Sequence, residues 1–291
     1  MTFLDHVPEA ATLTDGTVLH YVREGSGPTV IFIHGAMGDW RSWAPQWDSF
    51  RDRFDCVAYS RRYSHPNPNQ LVSRDHSALV DAEDLKGLMD TLSIDKAILV
   101  GSSYGGFTAL AMAAKYPDRV SGLVSVEAPM MRYAFMTEEG GEIARAFLAN
   151  ADDPARAAFE QGDDEMGVRI LTAGIVGVAP EEVPAHVMER RMLNARAARS
   201  LSLSRDEFPL IPPEVLGALK MPILLVSGKE TAPVHRVIFD KVTASMPQAR
   251  KRLVEGSGHS VAQAKPDVFN ADVLRFLQDH GLTTISDQMK V

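Results

Sequence analysis

Three short segments carry residue types suited to nucleophilic catalysis. Gly101-Ser102-Ser103-Tyr104-Gly105-Gly106 fits the pattern G-x-S-x-G around Ser103, directly after the apolar run Lys96–Val100 and directly before a helical pattern. A tight strand-to-helix turn forces its middle residue into strained backbone geometry, and small neighbours let the chain turn. That turn lifts the hydroxyl clear of the sheet, beside the positive end of the helix. His34-Gly35-Ala36-Met37-Gly38 closes the run Thr29–Ile33. Attack on a carbonyl creates an oxyanion that needs fixed donors in a dry site. The backbone N–H groups of Ala36 and Tyr104 are expected to be that pair. The base for Ser103 is expected to be His259, in the loop Glu255-Gly256-Ser257-Gly258-His259-Ser260 ahead of the final helix. His6, His186, His235 and His280 are expected on the surface, with His65 and His76 near the loop that follows Tyr59.

A carboxylate must orient the imidazole and stabilise the cation it becomes. Glu127 ends the apolar run Leu123–Val126, where a charge is costly to bury without a partner. Glu230, in Gly228-Lys229-Glu230-Thr231, is the other candidate. The glycines around Ser103 are not followed by the Lys-Ser/Thr of a phosphate-binding loop, and no G-x-G-x-x-G occurs. Without HExxH or CxxC, and with scattered histidines, the sequence implies no metal and no cofactor.

The elements that must position these residues alternate between strand and helix. Thr17–Val22, Thr29–Ile33, Phe54–Tyr59, Lys96–Val100, Val120–Val126, Pro222–Ser227 and Ala249–Val254 read as strands, the middle ones nearly continuous apolar runs suited to burial on both faces. Asp75–Leu92, Gly105–Tyr116 and Pro266–His280 read as helices. This alternation predicts an α/β fold with a doubly wound, mostly parallel sheet. It breaks after Val126: Glu138–Asn150, Asp153–Gln161, Asp164–Ile175 and Pro180–Arg199 are helical patterns with no strand among them. The expected organisation is therefore an α/β core of residues 1–129 and 214–291, split by an all-helical insertion over 130–213. Leu282–Val291 reads as a frayed tail.

With 291 residues, 45% hydrophobic and 23% charged, the composition is that of a globular chain. Lys and Arg number 30 against 38 Asp and Glu, a net charge of −8 that argues against wrapping nucleic acid. Runs such as Ala97–Val100 and Ile223–Val226 are too short to span a bilayer, and Met1–Ala10 has no signal-like pattern. The single Cys56 suits a reducing compartment, so a cytoplasmic protein acting on a small molecule is expected, with its oligomeric state left open.

Taken together, HGAMG, GSSYGG, SGH and the helical insertion resemble the α/β-hydrolase superfamily over nearly the whole chain. The resemblance implies the α/β-hydrolase fold with the insertion as a lid. It also implies a serine hydrolase that cleaves a carboxylic ester or lactone of a small to medium, mostly apolar substrate through an acyl-enzyme. Members of this superfamily most often carry the acid as Gly-x-x-Asp after the strand that follows the lid, and here Thr231 stands where that Asp is expected. Some relatives keep it at the end of the preceding strand, which favours Ser103–His259–Glu127 over Glu230. Related dehalogenases and epoxide hydrolases use an Asp nucleophile, whereas position 103 is Ser. The superfamily also contains lyases, cofactor-free oxygenases, acyltransferases and small-molecule receptors, which remain alternatives. Met130, Met131 and Tyr133 are expected to overhang Ser103 as substrate contacts. Arg190, Arg191, Arg196 and Arg199 could meet an anionic group but are expected to form a solvated helical face, and Arg61 and Arg62 are expected to brace their loop, with a pocket role left open.

Overall fold

The computed structural model describes residues 2–283. Eight strands form one sheet in the order β1-β2-β4-β3-β5-β6-β7-β8. In chain order they are Glu9–Thr12, Val18–Gly25, Thr29–Ile33, Asp55–Tyr59, Ala97–Ser102, Val120–Val126, Ile223–Gly228 and Arg250–Val254. β2 runs antiparallel to β1 and β4, and every other pairing is parallel. The edge strand β1 has no counterpart among the expected strands. Its sequence, Glu-Ala-Ala-Thr, has little strand preference, and pairing with β2 makes it one.

Alternation along β3 shows how the sheet is buried twice. Ile31 and Ile33 face a cluster with Leu85, Leu88, Phe107 and Leu110 from α2 (Ala78–Thr91) and α3 (Tyr104–Lys115). Val30 and Phe32 face Trp43, Trp47, Phe50, Phe269 and Phe276, carried mainly by α1 (Ala44–Arg51) and the C-terminal helix. Both faces are dry, so the strands read as unbroken apolar runs. Of the expected tail, residues 284–291 lie outside the described residues, while Leu282 packs against the second cluster.

Between β6 and β7 the described chain is helical: α4 (Met131–Ala134), α5 (Glu138–Phe147), α6 (Asp153–Glu160), α7 (Asp164–Val176), α8 (Ala185–Met192), α9 (Ala195–Ser202) and α10 (Pro213–Gly217). The pattern expected as one helix over Pro180–Arg199 is broken into a short 3-10 turn, α8 and α9. Pro184 precedes α8, and Asn194 separates α8 from α9. The Asn194 side chain is otherwise employed, accepting from His65 N–H at 2.9 Å and donating to Asp39 at 2.9 Å. The segment does not pack as one body. Met131, Tyr133, Ala134 and Ala144 join the main core, whereas Ala155, Phe159, Val168, Leu171 and Ala198 build a separate cluster. After β7 come α11 (Pro233–Ala244), α12 (Val261–Ala264) and α13 (Pro266–Asp279). Among the described residues no helix is long and apolar enough to cross a membrane.

Candidate active site

The carboxyl ends of β3, β5, β6, β7 and β8 converge on one crevice, as open α/β sheets favour. Ser103 follows β5 with φ 53° and ψ −121°, a backbone conformation that costs about 1–3 kcal/mol and persists only where the surroundings enforce it. Here they do. A Cβ on Gly101 would lie 2.2 Å from Gly105 O, and one on Gly105 would lie 2.0 Å from Ile33 O, so the turn closes only with glycine at both positions. Ser103 N–H donates to Val126 O at 2.7 Å, fastening the turn to β6.

Glu127, with φ 43°, is the second non-glycine residue held in the left-handed region beside the site. Its Oε1 accepts from Ser227 Oγ at 2.7 Å and from Gly228 N–H at 2.9 Å. Its Oε2 accepts from Thr231 Oγ1 at 2.8 Å and from His259 Nδ1 at 2.7 Å. A carboxylate only accepts, so Nδ1 carries the proton and Nε2 is free to accept from Ser103 Oγ, 2.9 Å away. Burial works against the charged form of Glu127. The hydrogen bond and charge of His259 and the Ser227 hydroxyl outweigh it and hold the carboxyl down at about 2.

The two acid candidates thus occupy different places. Glu230 accepts from Ser257 N–H at 2.8 Å, while its own N–H donates to Ser257 O at 3.0 Å, so it pins the loop that carries His259. Thr231, at the position where the superfamily pattern has Asp, donates to the Glu127 carboxylate.

Residues 34–38 run against the serine: a Cβ on Gly35 would come within 3.3 Å of Ser103 Cβ. Among the described residues neither Ala36 N–H nor Tyr104 N–H has a backbone acceptor. Beneath this loop lies a buried charge network. Arg61, 2% exposed, is paired with Asp81 and donates to Gly35 O at 3.2 Å and Ala36 O at 3.3 Å. Its guanidinium also sits 5.0 Å from the Tyr104 ring centroid. Arg61 N–H donates to His34 Nε2 at 2.9 Å, so His34 Nδ1–H faces Gly35 O at 2.8 Å. Burial first, then the nearby Arg61 charge, push the His34 ring down to about 3 and keep it neutral. Arg61 braces the loop as its position suggested, and Arg62 pairs with Asp84 at 2.5 Å.

A cleft of about 770 Å³ opens above Ser103 and His259. The loop 34–39 lines one side, and Ile175, Val187, Arg190, Arg191, Leu193 and Asn194 line the other. Met130, Met131 and Tyr133 are not among its lining residues, which corrects the expectation that they overhang Ser103. They are 1%, 4% and 0% exposed, α4 packs against α11, and Tyr133 Oη donates to Ile211 O at 2.8 Å. The chain leaving Glu127 turns down onto the core, so the cleft is roofed by later helices.

The four arginines do not form one solvated face either. Arg196 donates to the carbonyls of Asn67 and Asn69 at 2.7 and 2.8 Å, and Arg199 pairs with Asp164 at 2.6 Å. Arg190 and Arg191 turn to the cleft instead. His235 is likewise buried, not superficial: its ring stacks on His259 at 4.1 Å, and its Nε2 lies 3.2 Å from Ile175 O. A buried histidine in the first turn of α11 carries no local signal of its partner.

Glu127, His235 and His259 together offer three potential metal-ligand atoms within 4.8 Å of one another. Their donors are already committed. At 2.7 Å, Nδ1 and Oε2 share a proton and leave no space for an ion between them, so the arrangement suits proton transfer.

A family model described as "alpha/beta hydrolase fold" matches residues 28–266. Among curated proteins, epoxide hydrolase 1 of Caenorhabditis elegans is 24% identical over 90% of this chain and 68% of its own length. The 2-hydroxy-6-oxo-6-phenylhexa-2,4-dienoate hydrolase of Comamonas testosteroni is 26% identical over 90% of this chain and 91% of its own. Among solved structures, Est816, described as an N-acyl homoserine lactone degrading enzyme, superposes with a TM-score of 0.72 at 21% identity. That match covers 92% of this chain and 99% of Est816.

Proposed function

This chain belongs to the α/β-hydrolase fold family, and we propose that it is a serine hydrolase cleaving a carboxylic ester or lactone of a small to medium substrate through an acyl-enzyme. The observation that carries this reading is the unbroken line Ser103 Oγ, His259 Nε2, His259 Nδ1, Glu127 Oε2, at 2.9 and 2.7 Å. His259 takes the Ser103 proton as Oγ attacks the carbonyl carbon, and Glu127 stabilises the imidazolium. The oxyanion is received by the N–H groups of Ala36 and Tyr104, donors fixed before the charge appears. The imidazolium then gives its proton to the leaving alkoxide. A water, deprotonated by the same ring, attacks the acyl-enzyme and releases the acid.

Helices α6 to α9 serve as the lid, and the core of residues 1–129 and 214–291 supplies the nucleophile, acid and base. Relatives named as a dienoate hydrolase and a lactone-degrading enzyme support a hydrolytic use of this arrangement. Ser103 supplies an attacking oxygen whose ester with an acyl group is readily hydrolysed, which suits carbonyl substrates. The test is a panel of nitrophenyl acyl esters and lactones with wild type and Ser103→Ala. Hydrolysis is expected to fall by at least about 10³-fold in the variant. Wild-type turnover by Ser103→Ala would overturn the reading.

A further inference from the structure

We propose that Arg191 makes this cleft selective for substrates that carry a carboxylate remote from the scissile carbonyl. The inference rests on the hydrolase reading above and names the substrate class of the same site.

Arg191 is partly buried on α8 and lines the cleft that exposes Ser103. Its Nη1 donates to Thr172 Oγ1 at 2.9 Å and lies 3.8 Å from Met37 Sδ, one residue beyond Ala36 in the chain. Among the described residues its Nε and Nη2 have no protein acceptor, and no carboxylate pairs with it. Burial and the neighbouring Arg190 push its pKa down to about 10, so it still carries its charge at neutral pH, with neutral partners only.

The electrostatic balance of the cleft points the same way. Three guanidinium groups line it, those of Arg41, Arg190 and Arg191, against one carboxylate, Asp39, which is taken by Arg41 at 2.6 Å. A chain with a net charge of −8 therefore keeps its catalytic crevice positive. The unpartnered Nε and Nη2 are not sealed in the interior, so they face the cleft with no carboxylate of the protein to meet them. A planar anion accepting from Nε and Nη2 would meet them in the bidentate geometry arginine favours. Because Met37 adjoins Ala36, an anion held there belongs to the substrate whose carbonyl oxygen sits at the Ala36 and Tyr104 N–H groups. Thr172 supports the guanidinium without neutralising it.

The test uses two esters of equal reach, 4-nitrophenyl hydrogen adipate and 4-nitrophenyl methyl adipate, which differ only in whether the distal carboxyl is charged. Wild type is expected to show a kcat/KM for the acid about tenfold or more above that for its capped partner, the usual worth of one charge-assisted hydrogen bond. In Arg191→Gln the ratio should fall to about one or below. Arg191→Lys, which keeps charge without the fork, should lie between them, and it carries the test if the glutamine variant does not fold. Equal rates in wild type, a preference for the capped ester, or a ratio unmoved by Arg191→Gln would overturn the proposal.

Calorimetric titration of adipate itself, with dimethyl adipate as the neutral control, reads the subsite without turnover. If neither ester is cleaved, that counts against the hydrolase reading and not against the subsite. The subsite then stands on adipate binding to wild type that is lost in Arg191→Gln, and falls if adipate and its diester behave alike.

Discussion

Two arginines reach toward the same short loop from opposite sides and have opposite surroundings. Arg61, below, is paired with Asp81, spans the Gly35 and Ala36 carbonyls and lies on the Tyr104 ring. Arg191, above, touches Thr172 and Met37 and has no acid among the described residues. The floor of the crevice is matched charge for charge, so its geometry is fixed before anything binds. The roof leaves a charge open, and a guest must complete it. On the proposed function, pre-arranged donors serve the reaction, and an unmatched cation serves selection.

The largest expected effect tests the floor at its acid. Glu127→Gln keeps the shape but cannot hold His259 in the required tautomer, and kcat should fall about 10³- to 10⁴-fold. Glu230→Gln should change kcat by less than about tenfold, because Glu230 only pins the Ser257 backbone. A steady-state comparison of the two decides the matter, and a severe defect confined to Glu230→Gln would reverse the assignment.

Next comes the stability of the floor itself. Arg61→Met leaves Asp81 buried with only His76 Nε2, 3.5 Å away, beside it, at a cost of about 3–5 kcal/mol in a urea titration. A change below about 1 kcal/mol would show that the network beneath the loop is not what holds it.

A smaller effect lies where floor and roof meet, at His235. Burial pushes its ring down to about 3, so in the fold it stays neutral while the unfolded chain takes up a proton below about 6.5. Stability rises with pH wherever the unfolded state binds more protons, so this term is fully favourable above about 6.5 and is lost as pH falls. Relative to His235→Phe, wild type should therefore lose about 1 kcal/mol of unfolding free energy between pH 6.5 and 5.5. Parallel pH profiles of the two proteins would contradict it.

The smallest effect sharpens the contrast most. Arg191→Met removes a charge that nothing neutralises, so unfolding free energy should stay within about 1 kcal/mol of wild type or rise. Destabilisation as large as that of Arg61→Met would mean that the roof arginine is structural after all.

Much of this was legible in sequence because it rests on local constraints. The turn at Ser103 needs glycine at 101 and 105 for steric reasons that short spacing already expresses. The central strands are buried on both faces and read as unbroken apolar runs. A glutamate closing such a run had to have partners, and Ser227, Gly228, Thr231 and His259 are those partners. What depended on distant packing was not legible. Met130, Met131 and Tyr133 follow Glu127 directly, yet α4 bends onto α11 and takes them into the core. The four arginines fall within a stretch that reads as one helix, but the break at Asn194 turns Arg191 inward and leaves Arg196 and Arg199 to other partners. His235 meets His259 only because α11 packs against α4, α5 and β7, which no local pattern encodes.

The most direct test of the central claim is to react the protein with a fluorophosphonate and map the modified residue by peptide mass spectrometry. A single adduct on Ser103 is expected, one that Ser103→Ala abolishes and Glu127→Gln slows by orders of magnitude. Labelling at another residue, or undiminished labelling of the alanine variant, would contradict it.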